Sequence, residues 1–115
     1  MVNHRYVPDR GDLVWVTLDP VKGHEQKGRR PALVVSPRLY NHKTSLALCC
    51  PITMHVKGYP FEVAVAVGDI RGVVLSDHVR TLDWRRRKAT HIGIVEATVM
   101  AEVEEKLLRL IKHEI

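Results

Sequence analysis

The chain has 115 residues, enough for one hydrophobic core and too few for two, so a single domain over 1–115 is expected. Its formal charge of +5, from 18 Lys and Arg against 13 Asp and Glu, favours a polyanionic partner: RNA, DNA or an acidic protein segment. No stretch approaches the ~20 apolar residues that cross a bilayer, and the opening "MVNHRYVPDRGD" has no apolar signal core, so a cytoplasmic protein with no membrane partner is expected.

In chain order, "DLVWVTL" (Asp12 to Leu18) follows the Pro8 to Gly11 turn signal and reads as a strand. Both of its faces are largely apolar, which places it centrally. "PALVVS" (Pro31 to Ser36) is a second strand, broken by Pro37 and "YNHKT", with room for one helical turn. "SLALCCPIT" (Ser45 to Thr53) is the third. Its adjacent Cys49 and Cys50 point to opposite faces, cannot easily pair, and read as small buried hydrophobes of a reducing compartment. Phe61, Val63, Val65 and Val67 alternate with Glu62 and alanines in a fourth strand. Short strands around "GVVLS" and "HVRTLDW" follow a Gly68 to Gly72 turn.

After "RRRKAT" the period lengthens from two to nearly four. Val99, Val103, Leu107, Leu110 and Ile111 form one helical stripe, Thr98 is placed to cap it, and Glu102 to Lys106 and Glu105 to Arg109 are i, i+4 pairs on the exposed side. About six short strands followed by one amphipathic helix suit a mainly β fold with helices: a small, strongly bent antiparallel sheet or partly open barrel, covered on one side by the helix.

Most catalytic chemistries lack their residues. The seven histidines (4, 24, 42, 55, 78, 91, 113) show no i, i+4 pair and no cysteine pattern of a zinc site, so no metal and no cofactor is expected. There is no G-x-S-x-G elbow, and "GHEQKG" has neither the length nor the Lys-Ser/Thr of a P-loop. Phosphodiester chemistry without metal remains. Cleaving RNA through its own 2′-hydroxyl requires a base, cationic or hydrogen-bonding groups on the phosphorane, and an acid near the 5′-oxygen. "GHEQKGRRP" (23 to 31) offers these types: Arg30 supplies a fork for two phosphate oxygens, and Glu25 or His24 can carry the proton. Thr53 adds a neutral donor if its strand end lies under that loop. The plainer alternative is that Glu25 and Arg30 pair only with each other or with solvent.

"WRRRKAT" (Trp84 to Thr90) offers a ring for base stacking beside Arg85, Arg86, Arg87 and Lys88, or else a solvated basic turn next to a packed Trp. "SDHVR" places Asp77, His78 and Arg80 where they could read base edges or serve as ordinary edge-strand polars.

The ordered series "RYVPDRGDLVWVTLDPVKGHEQKGRRPALVVSP", "YNHKTSLALCCPIT", "KGYPFEV" and "GVVLSDHVRTLDWRRR" resembles, over nearly the full length, the MazF/PemK/Kid endoribonuclease toxins of bacterial toxin-antitoxin pairs, and most of all their MazF branch. G-x-E-Q followed by R-P, with P-x-T ending the third strand, carries the resemblance. It implies an SH3-like, PemK/CcdB-type barrel and a homodimer. It implies metal-independent, sequence-specific cleavage of single-stranded RNA to 2′,3′-cyclic phosphate and 5′-hydroxyl ends, inhibiting translation and growth. It also implies an antitoxin whose flexible acidic C-terminal tail occupies the RNA groove, with DNA met only through that antitoxin. Carried over by position, the catalytic residues are Arg30, Thr53 and Glu25, with His24 and Asp77 as candidate support. The RNA-contacting set is Gln26, Arg29, Lys57, His78, Arg80, Trp84, Arg85 and Arg87. The Kid branch has an arginine where this chain has Leu75, and MazF relatives often have glutamine at His78, so the recognised triplet need not be theirs. Two alternatives stay open: a non-catalytic toxin of the same fold, of the CcdB gyrase-poison type, or a passive RNA-binding barrel.

Overall fold

The computed structural model describes residues 6–17 and 28–114. They form β1 (Asp12–Thr17), β2 (Arg29–Val34), α1 (Arg38–Thr44), β3 (Leu46–Thr53), β4 (Glu62–Val67), β5 (Ile70–Leu75), β6 (Arg80–Asp83), β7 (Thr90–Ile94) and α2 (Ala97–Ile111). The strands pair antiparallel in the order β4-β5-β3-β2-β1-β7, with β6 added to β3. β3 is shared along one edge: Leu46 to Cys49 pair with β6, and Ile52 and Thr53 pair with β5. That division curls the sheet into a half-barrel, with α2 across one side.

Strand alternation sends side chains to two separate cores. Leu13, Leu33, Cys50, Ile52, Val63, Val65 and Val74 meet Met100 and Val103 of α2, while Val14, Val16, Ala32, Val34, Ala47 and Cys49 meet Val7, Leu82 and Trp84. Cys49 and Cys50 therefore belong to different clusters, as the alternation predicts. Burial pushes both thiols from 9.0 up to about 12.

α2 runs with its two expected pairs formed, Lys106 to Glu102 and Arg109 to Glu105, each at 3.2 Å. Four expectations change. The cap of α2 is Glu96 and Thr98 lies inside the helix; the buried stripe takes in Met100, while Ile111 is 63% exposed at the end where the helix overshoots the sheet. A seventh strand, β7, follows the basic run and pairs with β1. α1 is a seven-residue helix rather than a single turn. It is anchored by Asn41, fully buried, whose Nδ2 donates to Pro8 O (2.8 Å) and Ser36 O (3.0 Å). Ser45, in the left-handed region at φ 65°, ends α1 by donating its N–H to Asn41 O.

At the other end of β3, β5 closes in on Thr53. Gly72 is there because a Cβ at that position would collide with the Thr53 carbonyl oxygen.

Candidate active site

The β2–β3 ladder pairs Val34 with Cys49, Leu33 with Cys50 and Ala32 with Pro51. Continued two residues, this register sets Arg30 across from Thr53, on one face because both are an even number of residues from the Ala32–Pro51 pair. β1 adds Val16 opposite Arg30 and Thr17 opposite Arg29. An open groove of ≈ 1010 Å³ lies against this corner, lined by Trp15, Arg29, Arg30, Thr53, His55 and Arg80, together with Pro31, Pro51, Ile52 and Met54. Among the described residues its lining carries three arginines and no carboxylate. A lining of this charge suits an anionic group such as a phosphodiester.

Arg30 is exposed at the groove wall, and its Nη1 donates to Arg29 O (3.0 Å). Thr53 Oγ1 accepts the backbone N–H of His55 (3.1 Å), which leaves its O–H available to donate. Arg80 reaches the groove from β6, where it pairs with Cys49.

Several other candidates have different work. Arg29 spans three segments: Nη1 donates to Thr17 Oγ1 (3.3 Å), Arg87 O (3.1 Å) and Lys88 O (2.8 Å), and Nη2 donates to Thr90 Oγ1 (3.1 Å). Arg87 Nη1 donates to Thr17 O (2.8 Å). These two guanidiniums tie the end of β1 to the basic turn, and Arg29 also lines the groove. The stacking role given to Trp84 is corrected. The ring is only 6% exposed, it packs in the second core, and its Nε1 donates to Asn41 O (2.9 Å). Arg85 lies over that ring at 4.9 Å, outside the groove.

Lys57 stands in the β3–β4 connection, 5.9 Å from the centre of the Tyr59 ring, and does not line the groove. Asp77 and His78 are exposed on the turn between β5 and β6, 3.8 Å apart (Oδ1 to Nε2), three and two residues before the groove-lining Arg80. Glu25, His24 and Gln26 lie outside the described residues. Trp15 and His55 line the groove and were not singled out from sequence. For His55 the available signal was its place two residues after the strand-ending P-x-T. Among the described residues no three His, Cys, Asp or Glu side chains gather as a ligand set.

The pattern described as "PemK-like, MazF-like toxin of type II toxin-antitoxin system" matches residues 9–111. The chain belongs to this PemK-like, MazF-like toxin family. Among curated members it is 50% identical over 107 residues to "Endoribonuclease toxin MazF" of Escherichia coli K12, covering 93% of this chain and 96% of that one. Among solved members, MazF (Form-I) from Deinococcus radiodurans superposes with a TM-score of 0.83 at 53% identity, covering 93% of this chain and 98% of the other. The MazE-MazF complex (Form-II) from the same organism gives 0.82 at 48%, covering 92% and 96%. The half-barrel and its C-terminal helix are thus those of the MazF-like fold.

Proposed function

We propose that this chain is the toxin of a type II pair and cuts single-stranded RNA in the groove between β2 and the end of β3, without a metal. The observation that carries the chemistry is the open, arginine-lined groove that Arg30 and Thr53 line together beyond the β2–β3 ladder. RNA supplies its own nucleophile: the 2′-oxygen bonds to phosphorus, the bond to the 5′-oxygen breaks, and the 2′,3′-cyclic phosphate and a 5′-hydroxyl result. Arg30 binds the phosphorane oxygens through its planar fork, where negative charge grows, and Thr53 adds a neutral hydrogen bond. The proton leaving the 2′-hydroxyl goes to Glu25 or His24 or passes by way of Arg30, and the departing 5′-oxygen receives one in return. Arg80 holds the strand as it leaves the site, and His78, just outside the groove, reads a base.

A homodimer sets two such corners along one RNA path, since a single groove is shallow. The antitoxin partner fills the same groove with an acidic segment. Both belong to a cytoplasmic toxin; among the described residues no helix is long and apolar enough to cross a membrane. The test is to incubate the protein with a long single-stranded RNA in EDTA and identify the ends. Cyclic phosphate and 5′-hydroxyl termini support the proposal, whereas cutting that requires added divalent metal sinks it.

A further inference from the structure

A second groove sits at the opposite end of β3, roughly 20 Å from Thr53 at ~3.3 Å per residue along the strand. Its volume is ≈ 630 Å³, and it shares no lining residue with the first. Arg38, Leu39 and His42 of α1 form one wall, Arg85 of the turn after β6 forms the other, and Val7 and Trp84 lie between them. Arg38 and His42 are four residues apart and so share a helix face. The walls are tied together: Trp84 Nε1 bonds to Asn41 O, and Asn41 in turn holds Pro8 O and Ser36 O. The cleft is therefore shaped before anything binds.

Its charge is uncompensated. Arg10, Lys106 and Arg109 each pair with a glutamate, but among the described residues neither the Arg38 nor the Arg85 guanidinium has a hydrogen bond or an ion pair. Asp9, the carboxylate on the neighbouring segment, already accepts the backbone N–H groups of Arg10 (2.8 Å) and Arg38 (2.9 Å) with Oδ1. Arg85 is held over Trp84, and Leu39, in the same lining, is 68% exposed. Single-stranded nucleic acid is held by stacking on an open aromatic face, and the Trp84 ring offers none. A free phosphate would use the arginines but leave the apolar rim idle.

We infer that this groove docks an acidic peptide segment of a partner protein, seating an apolar side chain on Leu39 while flanking carboxylates meet Arg38 and Arg85. Occupancy here is separate from the RNA groove, so a partner can hold the protein without blocking Arg30 and Thr53.

Fluorescence anisotropy tests this with a labelled peptide of roughly ten residues that carries Glu-Asp pairs on both sides of a Leu. The peptide binds the wild-type chain, and a version with Gln and Asn in place of the acids does not. Arg38→Ala and Arg85→Ala each weaken binding about tenfold, as the loss of one charge-assisted pair requires, and Leu39→Ser weakens it several-fold. Arg30→Ala leaves the affinity unchanged. All four side chains are exposed, so the variants stay folded, and a melting curve checks each. No binding at millimolar peptide overturns the inference. So does binding that follows Arg30 instead of Arg38 and Arg85, which would put the peptide in the first groove. A labelled oligouridylate bound through Arg38 and Arg85 would make the cleft a nucleic-acid surface and overturn it equally. None of these readouts depends on RNA cleavage.

Discussion

Gly72→Ala probes how the fold positions the reacting groups. The added Cβ would overlap the Thr53 carbonyl oxygen and stand 3.0 Å from the Thr53 carbonyl carbon and 3.1 Å from Met54 Sδ. An ordinary C···O approach is about 3.3 Å, so the end of β3 must withdraw by roughly 1 Å. Overpacking of this kind costs about 1–3 kcal/mol, partly offset by the ~0.5–1 kcal/mol gained when alanine replaces glycine within a strand. A net loss of about 0.5–2 kcal/mol lowers the melting temperature by roughly 2–10 °C in a domain of this size. The withdrawal moves Thr53 away from Arg30, and a 1 Å misplacement can cost up to ~100-fold in rate. Cleavage of a fluorogenic oligoribonucleotide, measured well below the melting point, should therefore fall about 10- to 100-fold. Gly68→Ala is the control: at φ 58° it strains the backbone, yet nothing lies within 4 Å of its Cβ. It should lose about 1 kcal/mol of stability with its rate unchanged. Equal rate losses in both variants, or a Gly72→Ala protein with wild-type melting and rate, would refute this account of Gly72.

Thr53→Val removes the hydroxyl while keeping the shape, and cleavage should slow by about 10- to 100-fold at unchanged KM; a KM effect alone would assign Thr53 to ground-state binding. Arg80→Ala should make RNA affinity less salt-dependent, reducing the log–log slope by ~0.7 for a single strand, and an unchanged slope would contradict its place on the RNA path. Asn41→Ala strips partners from buried Pro8 O and Ser36 O, and urea unfolding should show a loss of about 2–4 kcal/mol; a change below ~0.5 kcal/mol would contradict that role. Cys49 and Cys50, raised from 9.0 to about 12 in the fold, should resist Ellman's reagent at pH 8 until the chain unfolds. The native state holds their protons where the unfolded state releases them, so their contribution is complete below pH 9 and is lost between pH 9 and 12. Rising stability across that window would show the sign to be wrong.

The strands were legible where one face repeats with period two, as in Val63 and Val65, and the pairing of α2 was legible from its i, i+4 charges. β7 was not, because "THIGI" follows a basic run and its strand character comes from pairing with β1, a partner far away in sequence. Trp84 misled for a related reason. Four adjacent cations suggest a nucleic-acid surface, yet its burial depends on Asn41, Leu82 and Val7 arriving from elsewhere. Within the candidate site, Arg30 and Thr53 stood out by residue type and motif, but that they line one groove is a consequence of β2 pairing with β3, which no local pattern states. Arg29 and Arg30 show the limit of composition most plainly. Both neighbouring arginines line the groove, yet Arg29 is bound into the scaffold by four hydrogen bonds while Arg30 is exposed at the wall.

The central claim is that Arg30 stabilises the phosphorane during metal-free RNA cleavage. Its most direct test is the single-turnover cleavage rate of Arg30→Ala in EDTA, measured beside wild type at saturating protein. Removing a charged donor from a transition-state oxyanion costs about 10²- to 10³-fold, while substitution of an exposed residue changes stability by no more than ~0.5 kcal/mol. A loss of that size with an unchanged melting curve is the predicted result, and an Arg30→Ala protein that cuts at the wild-type rate would contradict it.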